Sequence, residues 1–254
     1  MKKFKWYAYM LLVMGTFMVS CSDDENSANK QTEVKFYLTD APTSENYKAV
    51  NIDIKEVRYS IDGETWENLP ITEATYNLLD FTNGKDTLLS NITLLEGEHI
   101  SQIRLILGDD NELVLEDGTV VPITTPSAQE SGLKFNVQEN IVTSSGYAVM
   151  IDFDASKSIV KKGNGGYSLK PVIRAYVVEN TAAVYGNILP AKVPYHVFTV
   201  AGQDTISAIS DTTLNNYFML HGLKTGTYKV EFQSLDSDIV LFSTNVDVFA
   251  GTNK

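Results

Sequence analysis

The sequence predicts an all-β protein, two β-sandwich domains in tandem behind a short apolar leader. Three observations carry this reading. Apolar and polar residues alternate in short runs, the period of a half-buried strand. Turn-forming residues separate the runs, with Asp-Gly at 62–63 and again at 117–118. Helical periodicity is confined to a turn or two near TLLSNITLL (87–95).

The leader comes first. Lys2, Lys3 and Lys5 precede an uncharged apolar stretch from Tyr7 to Val19. That is the layout of a secretory signal, and its dozen or so apolar residues fall short of the roughly 20 that cross a bilayer. Residues 1–20 therefore read as a signal peptide. Directly behind lies Cys21, the one cysteine of 254 residues, in the phrase MVSC. The phrase resembles a bacterial lipobox, in which the signal is cut before a cysteine that then carries lipid. Acyl chains such as palmitate anchor by burying methylenes at about 0.8 kcal/mol each, so several chains make a durable tether. Ser22, Asp23, Asp24 and Glu25 follow and resemble the export signal of surface lipoproteins in Bacteroidota-type Gram-negative bacteria. Residues 21–32 read as a lipidated cysteine and an acidic flexible tether. The resemblance implies an outer-membrane lipoprotein exposed at the cell surface.

Charge narrows the partners. The chain has 20 basic and 32 acidic residues, and removing Lys2, Lys3 and Lys5 with the leader leaves 17 against 32, a net charge near −15. Such a surface repels phosphate backbones, which excludes nucleic acid as a partner. With a single cysteine no internal disulfide can form, so packing must hold the fold.

The strands follow in order. VKFYLTD puts Val34, Phe36 and Leu38 on one face. In AVNIDIKEVRYSI, Val50, Ile52 and Ile54 share a face before Val57, Tyr59 and Ile61 take over. That change of parity at Lys55–Glu56 predicts a β-bulge. ELVLEDGTVVPI predicts a hairpin around Asp117-Gly118 with Leu115 opposite Val120. QIRLIL (102–107), GLKFNV (132–137), YAVMIDFD (147–154) and PVIRAYVV (171–178) complete a first unit. After a pause at Glu179–Ala183 come AVYGNIL, VPYHVFTV, DTISAIS, NYFMLHGL, GTYKVEFQ and STNVDVFA. A boundary near residue 180 gives one sandwich over 33–179 and a smaller one over 180–254, close to the lower size limit of independent domains.

Several phrases carry a resemblance. FYLTDAPTSENYKAVNIDIKEV, WENLP, NLLDFTNG, DGTVVPITTPSAQESGLKF and IDFDASKSIV occur in order between about Val34 and Val178. Together they are similar to the bacterial lipoprotein family catalogued as domain of unknown function 4382. The resemblance implies a β-sandwich on exported proteins and no established activity. YGNILPA (185–191) and NYFMLHGLKTGTYKVEF (216–232) resemble carboxypeptidase-regulatory or transthyretin-like modules. This copy has only Gly186 near its start and lacks the usual proline after the Gly-Leu turn. Such modules group with starch-binding domains, which implies a carbohydrate-binding-like unit.

Catalytic patterns are missing from the sequence. His99, His196 and His221 lie far apart without an HExxH, no GxSxG occurs, and KKGNGGYS (161–168) lacks the order of a P-loop. Asp152 and Asp154 share one face of their strand and Asp40 closes the first strand. These three are the candidates for Ca²⁺ coordination or for acid–base work on a glycoside. The favoured reading is structural, with hydrogen bonds to turns and pairing to Arg104, Lys170 or Arg174. Trp66, Tyr167 and Tyr217 are candidates to stack on sugar rings, and Trp66 also reads as a cap on the core. Thr87, Thr205 and Thr212, in the phrases DTL, DTI and DTT, resemble bacterial O-glycosylation acceptors.

The expected function is a non-catalytic surface lipoprotein that binds a glycan or other ligand, with no cofactor beyond the candidate Ca²⁺. Its partners would be the membrane, through lipid, and a neutral glycan or a protein. The alternative is a structural or adhesive component of an envelope or pilus-like assembly. A carboxylate-dependent enzyme comes third.

Overall fold

The computed structural model describes residues 30–41, 47–125, 132–137, 146–190, 193–235 and 239–251. The expected signal peptide, Cys21 and the Ser22–Glu25 export signal lie outside the described residues. Strands dominate the rest. They are β1 (Gln31–Ala41), β2 (Tyr47–Ser60), β3 (Glu67–Asn68), β4 (Ala74–Asn77), β5 (Thr87–Leu95), β6 (Gln102–Leu107), β7 (Glu112–Leu115), β8 (Val120–Pro122), β9 (Leu133–Asn136), β10 (Tyr147–Asp154), β11 (Ile159–Lys161), β12 (Tyr167–Leu169) and β13 (Ile173–Val177). A four-stranded sheet has the order β13-β10-β1-β5, and a seven-stranded sheet has the order β8-β7-β2-β6-β9 with β3 and β4 also paired to β2. Val34, Phe36, Leu38, Val149, Ile151 and Phe153 from the first sheet share one core with Val50, Ile52, Ile54, Val57, Ile103 and Leu105 from the second. All are fully buried, each contributing about 1.5–3 kcal/mol of transfer free energy. This is an all-β layered architecture, as the alternation requires.

The bulge in β2 is present. Ile54 pairs with Leu107 and Glu56 with Ile106, so Lys55 is the extra residue and the apolar face resumes at Val57. Two expectations need correction. The helical turn at 87–95 is instead β5, antiparallel to β1. Phe36 pairs with Ser90 and Tyr37 with Leu88, making Leu89 a second bulge that puts the alternation out of phase. The hairpin register is also different: Val114, not Leu115, lies opposite Val120. Gly118 N–H donates to Leu115 O and Leu115 N–H to Thr119 O, both at 2.9 Å, while Gly118 has φ +89°. A three-residue loop ending in a left-handed glycine sets the pairing one residue off a two-residue turn.

The remaining strands are β14 (Ala182–Asn187), β15 (Tyr195–Ala201), β16 (Asp204–Ile209), β17 (Tyr217–Leu223), β18 (Gly226–Ser234) and β19 (Val240–Val248). A four-stranded sheet, β16-β15-β18-β19, accompanies the pair β14-β17. Val184, Val197, Ala208, Phe218, Leu220 and Val230 belong to a second core. Core membership changes between Val177 and Ala182, while Gln31–Lys254 forms one compact unit.

Candidate functional site

The acidic candidates sit where β1 and β10 run parallel, with Thr39 opposite Asp152 and Asp40 opposite Phe153. Alternation turns Asp40 inward with Leu38, and turns Asp152 to the outer face of the sheet. Asp152 Oδ2 accepts from Arg174 Nε at 2.6 Å, the residue directly across on β13. Arg174 Nη2 goes on to donate to His221 O at 2.9 Å. Asp154 Oδ1 accepts from Lys157 N–H at 3.0 Å and from Ser156 Oγ at 2.6 Å, which caps the helical turn Ala155–Ser158. Its other oxygen pairs with Lys157 Nζ at 2.6 Å. Asp40 is fully buried, with Oδ1 accepting from Ala155 N–H at 2.9 Å. Its carboxyl is pushed well above the ordinary range by burial, opposed by that amide and reinforced by the charges of Asp152 and Asp154.

Each carboxylate is thus engaged by a different structural partner, and of the three cations named from the sequence only Arg174 is one of them. Among the described residues, no group of three or more His, Cys, Asp or Glu is arranged to hold a metal ion.

Beside this network Tyr176 OH and His221 Nδ1 lie 2.5 Å apart. Burial is the main cause in both groups: it pushes the phenol well above its usual value and lowers the imidazole. Both therefore stay neutral at neutral pH, and the His221 tautomer sets which of the two donates. Gly222 has φ +70°, and a Cβ there would lie 2.7 Å from Tyr176 Cε1. Glycine lets β17 close onto β13. Two clefts flank the contact. One, of about 580 Å³, is lined in part by Phe135, Arg174, Asp204, Lys224 and Tyr228. The other, of about 190 Å³, is lined in part by Thr39, Asp86, Met219 and His221. Asp40, Asp152 and Asp154 line neither cleft.

The aromatic candidates are scattered. Trp66 is half-buried with Arg104 Cζ 4.3 Å and Lys134 Nζ 5.0 Å from its ring centroid. It lies outside the core, next to two cations. Tyr167 packs edge-on against Tyr47, centroids 6.2 Å apart. Tyr217 is 6.3 Å from the exposed Tyr185. Thr87 opens β5, Thr205 lies in β16 with its carbonyl accepting from Lys157 Nζ at 3.0 Å, and Thr212 is exposed after β16. Of the histidines, His99 is exposed and His196 stacks on Phe198 with centroids 5.0 Å apart.

Sequence reasoning missed the Tyr176–His221 contact and the reach of Asn83, whose Nδ2 donates to Ile209 O at 2.9 Å. The Asn83-Gly84 pair was a readable turn signal. What it touches depends on strands more than a hundred residues away.

A model of the family described as Domain of unknown function (DUF4382) matches residues 31–171. No curated protein matches the sequence. Among solved structures, the Bacillus anthracis TIE protein aligns with 87% of this chain and 32% of its own at 8% identity and TM-score 0.22. A streptococcal ancillary pilin aligns over 87% and 66% of the two chains at 8% identity and TM-score 0.20. The D312A variant of the Bacillus cereus major pilin BcpA aligns over 88% and 69% of the two chains at 10% identity and TM-score 0.19. The chain spans about a third of the TIE protein. Likeness at this level assigns it neither a fold nor a role.

Proposed function

The chain belongs to the family described as Domain of unknown function (DUF4382), and we propose that it is a non-catalytic lipoprotein, displayed on the outer surface of a Bacteroidota-type cell, that binds a glycan. One observation carries the binding part. The buried carboxylates are occupied with structural bonds and line neither cleft, whereas Tyr185 is exposed and Trp66 and Tyr217 are half-buried. A ring with a polar edge beside charged or amide groups is the usual chemistry for holding sugars without reacting with them. In this reading the two cores are two β-sandwich units, the second transthyretin-like, and Cys21 carries the lipid. The test is a glycan array on the purified full-length chain, with reducing-end release measured on every glycan retained. Retention without release is expected. Release that Asp152→Asn abolishes would make the protein an enzyme.

A second reading, a structural or adhesive role, is favoured by β19. Its first residues are apolar and exposed, with Leu241 at 58% and Phe242 at 60%, on the edge of its sheet. Such an edge accepts a strand from another chain.

A further inference from the structure

We propose that the outward face of the seven-stranded sheet binds an acidic saccharide, a sugar bearing a carboxylate, through Arg104 and Lys134 beside Trp66. This rests on the glycan reading and narrows it to one face and one sugar class. The net charge of the chain sets an expectation of neutral sugars, but charge is not spread evenly.

In the sheet register Arg58 lies directly opposite Arg104, and Arg104 directly opposite Lys134. Neighbouring strands are about 4.8 Å apart, so three cations stand in one rank across roughly 10 Å. Like charges directly opposite one another destabilise a sheet. Arg58 is relieved by Glu56, with Nε and Nη2 each donating at 2.8 Å. Arg104 and Lys134 have no carboxylate partner among the described residues; both lie over Trp66 instead. Two neighbouring cations are thus kept together on a chain of net charge −12.

Two polar atoms beside the cations also lack a partner within the protein. Arg104 Nε is buried without an acceptor, and Gln102 Oε1, two residues along on the same face, is buried without a donor. A buried polar atom left unpaired destabilises the fold. Gln102 Nε2 donates to Asn136 Oδ1 at 3.0 Å, which brings two side-chain amides to the next rank. A carboxylate would take the Arg104 and Lys134 donors, a sugar hydroxyl would serve the amides, and the ring would rest against the part of the indole left in solvent. A long phosphate backbone would meet the surrounding acidic surface and be repelled.

Trp66 and Trp6 are the two tryptophans of the chain, so in a Trp6→Phe background the emission reports on the site. The experiment titrates the full-length chain with tetragalacturonate, a four-residue uronic acid, against a neutral galactose tetrasaccharide and against poly-glutamate. Saturable binding of tetragalacturonate is expected, weakening with salt and on the order of tenfold with Lys134→Gln, with a larger loss for Arg104→Gln. Lys134 is exposed, so its variant should melt as the wild type does. Equal affinity for poly-glutamate would overturn the saccharide assignment in favour of an acidic peptide. Affinity unchanged in both variants, or equal for the neutral tetrasaccharide, would overturn this site and leave the glycan reading standing. An array with no saccharide retained at all would overturn both.

Discussion

At the scale of single residues, Asp40 is the clearest case of a sequence candidate given another task by its surroundings. The sequence offers it as a carboxylate that could hold metal, yet it is buried with one oxygen on Ala155 N–H and the other unpaired. Burial raises its pKa, and that fixes the sign of a pH effect. The folded chain holds the proton more tightly than the unfolded chain, whose carboxyl titrates at about 3.9. The stability this contributes is fully present below that value, and it is lost as pH rises through the folded-state pKa. Asp40→Asn cannot titrate. Its melting temperature should therefore fall less than that of the wild type, or rise relative to it, between mildly acid and neutral pH. Thermal melts across that range check this; parallel curves would show that Asp40 is charged in the fold. His221 has the opposite sign, its lowered pKa removing stability as pH falls below about 6.5, so the comparison must be made variant against wild type.

At the scale of elements, alternation made most strands legible, and the misses have a common cause. The bulge at Lys55 could be read because Val57, Tyr59 and Ile61 restart a clean pattern after it. The bulge at Leu89 could not, because the run Leu88-Leu89-Ser90 interrupts the alternation without a clean restart, and its partner strand lies some 50 residues earlier. The register of the 117–118 hairpin depended on whether Glu116 joins the loop, which apolar pattern does not encode. Site residues suffered more. That Arg104 meets Trp66 and Lys134 follows from register across three strands, so no local motif announces it. β19 raises a separate question, since its run from Ile239 to Phe242 is exposed and uncharged. Phe242 contacts Phe232 with centroids 5.6 Å apart, yet remains largely in solvent. If this edge takes a strand from another chain, Phe242→Lys should abolish a concentration-dependent larger species in sedimentation while leaving the monomer folded. A wild type that stays monomeric at all concentrations and brings down no partner removes the assembly reading.

At the scale of the whole molecule, strands build two cores within one compact unit, Gln31–Lys254. The seam between the cores is closed by Arg174 on His221 O, Tyr176 against His221, and Asn83 on Ile209 O. These bonds link the two cores. The leader, the resemblance to a lipobox and the acids behind Cys21 are local, linear features of the sequence and lie outside the described residues; the proposed ligand site draws its residues from distant strands, so no linear motif announces it. Tethering and binding can be tested together. Intact cells producing the wild type, the Cys21→Ser variant or no copy are incubated with a fluorescent acidic oligosaccharide and read by flow cytometry. Labelling of wild-type cells alone is the expected result. Equal labelling of Cys21→Ser cells would contradict the anchor, and unlabelled wild-type cells whose protein is cleaved by external protease would contradict the binding.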